Sequence, residues 1–223
     1  MKSDPATPPP SLRPLFRGVS HQIAFFVSLI AGAVLLALAP TPPAMLGAAI
    51  YAASLSALLG TSALYHRVTW SVPTRRWIGR LDHSMINVLI AGTFTPFALV
   101  VLSGKLADVL LSAMWIGAVA GIALHLFWFD APKWLSATVY VALGWVGIAA
   151  APQVIEHAGW TVALLVLTGG LLYSAGAVVY ATRRPDPVPA SFGYHEVFHA
   201  LVLLAAMIHY GAVALAILPA ARA

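Results

Sequence analysis

The chain contains no cysteine, so disulfides, thiolate metal sites and cysteine nucleophiles are excluded at once. Any metal it holds must be taken by histidine, carboxylate or water. Charge is scarce too: 9% of the 223 residues are Asp, Glu, Lys or Arg, while 61% are hydrophobic. That is too little polar surface to cover a soluble globule of this size, and it makes the chain a membrane protein. The formal charge of +5 is not gathered into a basic patch interleaved with aromatics, so nucleic acid is not expected as a partner. No small-residue cleavage site follows the first apolar run. The Pro- and Ser-rich stretch Met1 to Pro14 therefore reads as tail rather than signal peptide, and residues 1–17 are expected to be disordered.

What is abundant is apolar sequence. Cutting at Pro, Gly and charged residues leaves seven segments, about 20–39, 44–66, 81–102, 108–129, 134–151, 159–181 and 195–218. Each is long enough, or nearly so, to cross a hydrocarbon layer of roughly 30 Å as a helix. The expected fold is an all-α seven-transmembrane bundle over residues 18–223, with connections such as Pro40-Thr41-Pro42-Pro43 too short to hold another domain. Counting Lys and Arg on alternate sides gives orientation. Lys2, Arg13, Arg17, Arg67, Arg75, Arg76, Arg80, Lys133, Arg183 and Arg184 fall on one side, ten in all, against Lys105 and Arg222 on the other. The N-terminus is expected in the cytoplasm and the C-terminus outside.

This orientation brings the polar side chains of three segments to one depth. The second segment ends Ser62-Ala63-Leu64-Tyr65-His66, the third opens Arg80-Leu81-Asp82-His83, and the seventh opens His195-Glu196-Val197-Phe198-His199, all near the cytoplasmic face. Four-residue spacing puts His195 and His199 on one helix side, and Ser62 and His66 on another. Ionisable groups inside a membrane are paired or functional. Three histidines and a water would make a tetrahedral zinc site of the catalytic kind, with Asp82 suited to hold that water and take its proton. His209, about 15 Å further along the last helix, is too far to join them and reads as a deeper packing or cavity group. His21, His83, His125 and His157 read as interfacial or packing residues. The string from His195 to His199 also matches H-E-x-x-H, in which Glu196 would be the base of a metalloprotease.

Ser62-x-x-x-His66, Arg80-Leu81-Asp82-His83 leading into Ile90-Ala91-Gly92-Thr93-Phe94-Thr95-Pro96, and His195-x-x-x-His199 resemble the three signature blocks of the hemolysin III family. That family lies in the progestin and adipoQ receptor superfamily, with the adiponectin receptors. The likeness extends to Gly169-Gly170-Leu171-Leu172-Tyr173 and Phe192-Gly193-Tyr194. It implies seven helices with the N-terminus inside and a zinc site near the cytoplasmic face. His66, His195 and His199 would be ligands, Asp82 the water-holding carboxylate and Ser62 a supporting hydroxyl. Many relatives carry a Glu and an Asn ahead of the first-helix histidine, where this chain has Phe16-Arg17-Gly18-Val19-Ser20-His21, so no role carries over to His21. The implied activity is zinc-dependent hydrolysis of a lipid amide or ester, as in ceramidases, or membrane-lipid homeostasis in a bacterial inner membrane. Its implied partners are membrane lipids or a free fatty acid. The competing classes are a sensor or receptor with structural zinc, a cytolysin or pore, and an intramembrane H-E-x-x-H protease.

Overall fold

The computed structural model describes residues 14–218, so most of the tail, with Lys2 and Arg13, and the terminal Arg222 lie outside the described residues. Within them the chain runs α1 (Val19–Leu38), α2 (Pro42–Arg67), α3 (Val72–Val100), α4 (Gly104–Phe127), α5 (Lys133–Val146), a 3₁₀ turn (Gly147–Ala150), α6 (Ala151–Thr182) and α7 (Tyr194–Ile217). A single β-bridge, Val188 to Phe192, tightens the α6–α7 loop.

Unlike those of a soluble bundle, the helices carry apolar side chains on the outside as well as in the core. On α1 the buried positions are His21, Ser28, Gly32 and Leu35, one stripe at helical spacing, while Ile23, Phe26 and Ile30 are exposed. Ser28 donates to the Phe25 carbonyl at 2.7 Å and meets Ser56 Oγ of α2 at 2.9 Å. In hydrocarbon a polar group is tolerable only where protein satisfies it, so polar residues turn inward and apolar ones face out. Tyr51, Leu35, Met114 and Val213 fill the centre between them.

Six helical runs among the described residues are long and apolar enough to cross a membrane. The chain is therefore an all-helical, multi-pass membrane protein. One run, Lys133–Thr182, has 50 residues. Straight, it would measure roughly 75 Å, more than twice the hydrocarbon layer. It is not straight: Gly159 sits at φ 85°, ψ 166°, which only glycine adopts readily. Trp145 Nε1 donates to Ser174 Oγ at 3.1 Å, and Lys133 Nζ lies 4.6 Å from the Tyr180 ring centroid. The arms on either side of Gly159 thus lie side by side and antiparallel.

Several expected boundaries shift, the starts of α2 and α3 among them. α3 begins at Val72 rather than near 81, because Ser71 caps it and Pro73 starts its first turn without a wasted N–H. Its arginines are accommodated by aromatic neighbours: Arg75 lies over Tyr65 at 4.8 Å and Arg80 over Trp77 at 4.5 Å. Pro42 and Pro43, expected in a loop, form the first turn of α2 behind the Thr41 cap. Residues 14–17, expected within the disordered tail, are instead tied down. Leu15 and Phe16 donate backbone N–H groups to the carbonyls of Ala190 and Ser191 at 3.4 and 3.3 Å, and Arg17 forms an ion pair with Glu196.

Candidate metal centre

His66 in the last turn of α2, and His195 and His199 in the first two turns of α7, bring ring nitrogens within 4.8 Å of one another. His66 Nε2 and His195 Nε2 are 3.1 Å apart. Tetrahedral zinc with bonds of 2.0–2.1 Å would hold two nitrogens about 3.3 Å apart, so the spacing of this pair matches one edge of such a site. His199 is 2% exposed and its Nδ1 has no hydrogen-bond partner. Ring nitrogens of two buried imidazoles and one half-buried one converge, and imidazole nitrogen is a good ligand for a divalent cation. The three can hold a metal ion.

Asp82 adjoins this cluster, its Oδ2 4.0 Å from His66 Nε2 and 3.8 Å from His83 Nδ1. Ser62, one turn before His66, contacts His21 rather than facing solvent: its Oγ lies 2.8 Å from His21 Nδ1. His21 in turn stacks on His199, ring centroids 3.8 Å apart and planes 8° from parallel. Of the two readings of His21, interfacial or packing, the first is corrected: the ring packs inside the bundle. It is buried against the triad.

The other histidines have partners elsewhere. A carbonyl can only accept, so His83 Nδ1 donates to Gly79 at 2.7 Å, and its Nε2 receives the Tyr180 hydroxyl at 3.0 Å. His125 Nε2 meets the Tyr140 hydroxyl at 2.8 Å. His157 donates from Nδ1 to Val101 at 2.9 Å, and His209 from Nε2 to Val166 at 3.0 Å. Tyr140 and Tyr180, which sequence reasoning passed over, supply the hydroxyls beside the cluster; their membership shows only once α5 and α6 pack against α3.

Glu196 does not face the triad as a protease base would. One carboxylate oxygen pairs with Arg17 and the other accepts the Gly193 N–H at 2.8 Å, closing the first turn of α7. From His195 and His199 a cavity of about 320 Å³ runs between α3, α5, α6 and α7. Asp82, His195 and His199 line one end, and His209 also touches it. Ile148, Trp160 and Leu164 line it while more than half exposed, so the cavity reaches the outer surface of the bundle beside the 3₁₀ turn and Gly159.

A family model described as Haemolysin-III related matches residues 11–210. Hemolysin-3 of Bacillus cereus is 31% identical over 206 residues, 91% of each chain, and the Hemolysin-3 homolog of Bacillus subtilis is 34% identical over 154 residues, 69% of each. The adiponectin receptor protein of Drosophila melanogaster is 31% identical over 170 residues, which is 68% of this chain and 38% of the receptor.

Proposed function

The chain belongs to the haemolysin-III related family, and from that premise we propose that it is a zinc-dependent hydrolase acting on a lipid amide or ester in the membrane. The observation that carries the reading is the convergence of His66, His195 and His199 beside Asp82, at the polar end of an apolar cavity with a lateral opening. A water-soluble substrate has no use for such a route, whereas an acyl chain can slide in from the bilayer and present its polar linkage to the triad.

Zinc held by the three imidazoles would supply Lewis acidity and an acidified water. Asp82, whose Oδ2 lies 4.0 Å from His66 Nε2, would accept a proton from the attacking water and return it to the leaving amine or alcohol. His21 holds the Ser62 hydroxyl and flanks His199, fixing the ring orientation that metal binding needs. The apolar walls hold the chain and keep bulk water out.

The proposal includes seven crossings with the N-terminus in the cytoplasm. The reversal at Gly159 divides the 50-residue run into two arms of near-span length, and the skewed Lys and Arg distribution supports the orientation. An H-E-x-x-H protease is disfavoured by the engagement of both Glu196 oxygens. A pore is disfavoured by the mainly apolar wall of the cavity.

The test is metal analysis of the purified protein, paired with fatty-acid release from a lipid amide and a lipid ester in nanodiscs. Wild type should carry about one zinc per chain and turn over one of them. Asp82→Ala should keep the metal and lose at least about 100-fold in rate. Zinc-loaded wild type that releases no fatty acid would leave the metal as a structural clamp on α2 and α7.

A further inference from the structure

We propose that Pro14–Gly18 is a strap that closes the end of the bundle over the triad, latched by the Arg17–Glu196 ion pair, and that it controls access of ions and water to the site. Three observations meet in these five residues, and a fourth lies just beyond them. Arg17 pairs with a Glu196 carboxylate that is only 3% exposed, so opening the strap strands a buried charge. The Leu15 and Phe16 N–H groups pair with Ala190 and Ser191, at the tip of the turn closed by Val188 and Phe192, which ties the strap to the loop that leads into α7. Gly18 has φ 76°, and a Cβ there would stand 2.5 Å from His66 Cβ, so the backbone runs directly against a triad residue with room for no side chain. Three residues on, His21 stacks on His199.

Strap and α1 together cover the triad from the end of the bundle, and the sideways cavity is lined mainly by apolar groups. The two approaches therefore differ in chemistry. Lipid comes through the side, while hydrated ions and polar reagents come past the strap. Glu196, the middle of the H-E-x-x-H string, is on this reading a latch rather than a base.

This rests on the proposed function only in naming zinc as what is shielded, and the test separates the two. The cysteine-free chain allows one reporter, Ser62→Cys, to be labelled by a membrane-impermeant maleimide in nanodiscs. With Arg17 in place labelling should be slow. Arg17→Gln should speed it by about 10-fold or more, as expected when a local closure is lost, and Arg17→Lys should restore most of the protection. Gly18→Ala, which leaves the ion-pairing residues intact but drives a methyl into His66, should speed labelling by a separate route. A labelling rate that stays the same when Arg17→Gln is introduced, or when Gly18→Ala is introduced, overturns the strap. Zinc stripping by a chelator should follow the same order. Protein that holds no zinc would end the hydrolase reading while the labelling rates still decide this one.

Discussion

At the end of the bundle where α2 finishes and α7 starts, His66, His195 and His199 turn ring nitrogens toward one another, with His21 stacked behind them. Elsewhere in the bundle each histidine turns a nitrogen to a carbonyl or hydroxyl: His83 to Gly79 and Tyr180, His125 to Tyr140, His157 to Val101, His209 to Val166. Eight identical side chains in one apolar protein thus fall into two populations. A histidine that packs takes a protein partner nearby, because an unsatisfied polar group in hydrocarbon is costly. Imidazoles turned toward one another, one of them with a buried nitrogen that has no partner, form a set of lone pairs that a cation could take.

The sharpest way to break this division is to remove members of each population. His195→Ala or His199→Ala should weaken zinc binding by more than about 100-fold, exceeding the 10–100-fold typical of an outer-shell partner; His157→Ala and His209→Ala should leave about one zinc per chain by elemental analysis. Chelation should destabilise wild type by about 4 kcal/mol if zinc is initially present at 1,000 times its dissociation constant. Thermal melts should show that drop in wild type and none in His195→Ala. Removing His21 tests whether flanking rings belong with the triad: His21→Ala should reduce zinc affinity by about 10-fold without abolishing it. On the packing side, His125→Phe should cost about 1 kcal/mol through the lost hydrogen bond to Tyr140, whose hydroxyl keeps the His83 carbonyl as acceptor, with zinc content unchanged. The smallest effect is expected for Glu196→Gln, whose hydrolysis rate should stay within about threefold of wild type. A general base in that position would instead lose about 100-fold or more.

The membrane class and most of the apolar segments were legible in order along the chain. So was the likeness in depth of His66, Asp82, His195 and His199, because helical period and charge bias are local properties. Charged residues hid the start of α3: arginines read as loop punctuation, whereas Tyr65 and Trp77 give Arg75 and Arg80 aromatic faces inside the helix. His21 was missed for a different reason. Nothing in its neighbours along α1 points to a site, and its partners, Ser62 and His199, lie 41 and 178 positions away by subtraction of residue numbers. The H-E-x-x-H string misled in the opposite direction, since adjacency in sequence put Glu196 beside two ligand-type histidines while its partner, Arg17, waited at the other end of the chain.

Composition and period alone determined that this protein lives in a bilayer as helices, because a sparsely charged apolar chain of helical period has no other way to satisfy its backbone there. They also determined which histidines lie one turn apart. Only the tertiary structure decided which of those side chains face each other, that the run from Lys133 to Thr182 doubles back at Gly159, and that Glu196 turns to Arg17. Those outcomes depend on which lipid-insoluble groups find partners across helices, and such pairing is settled by packing between segments distant in sequence rather than by the residues on either side.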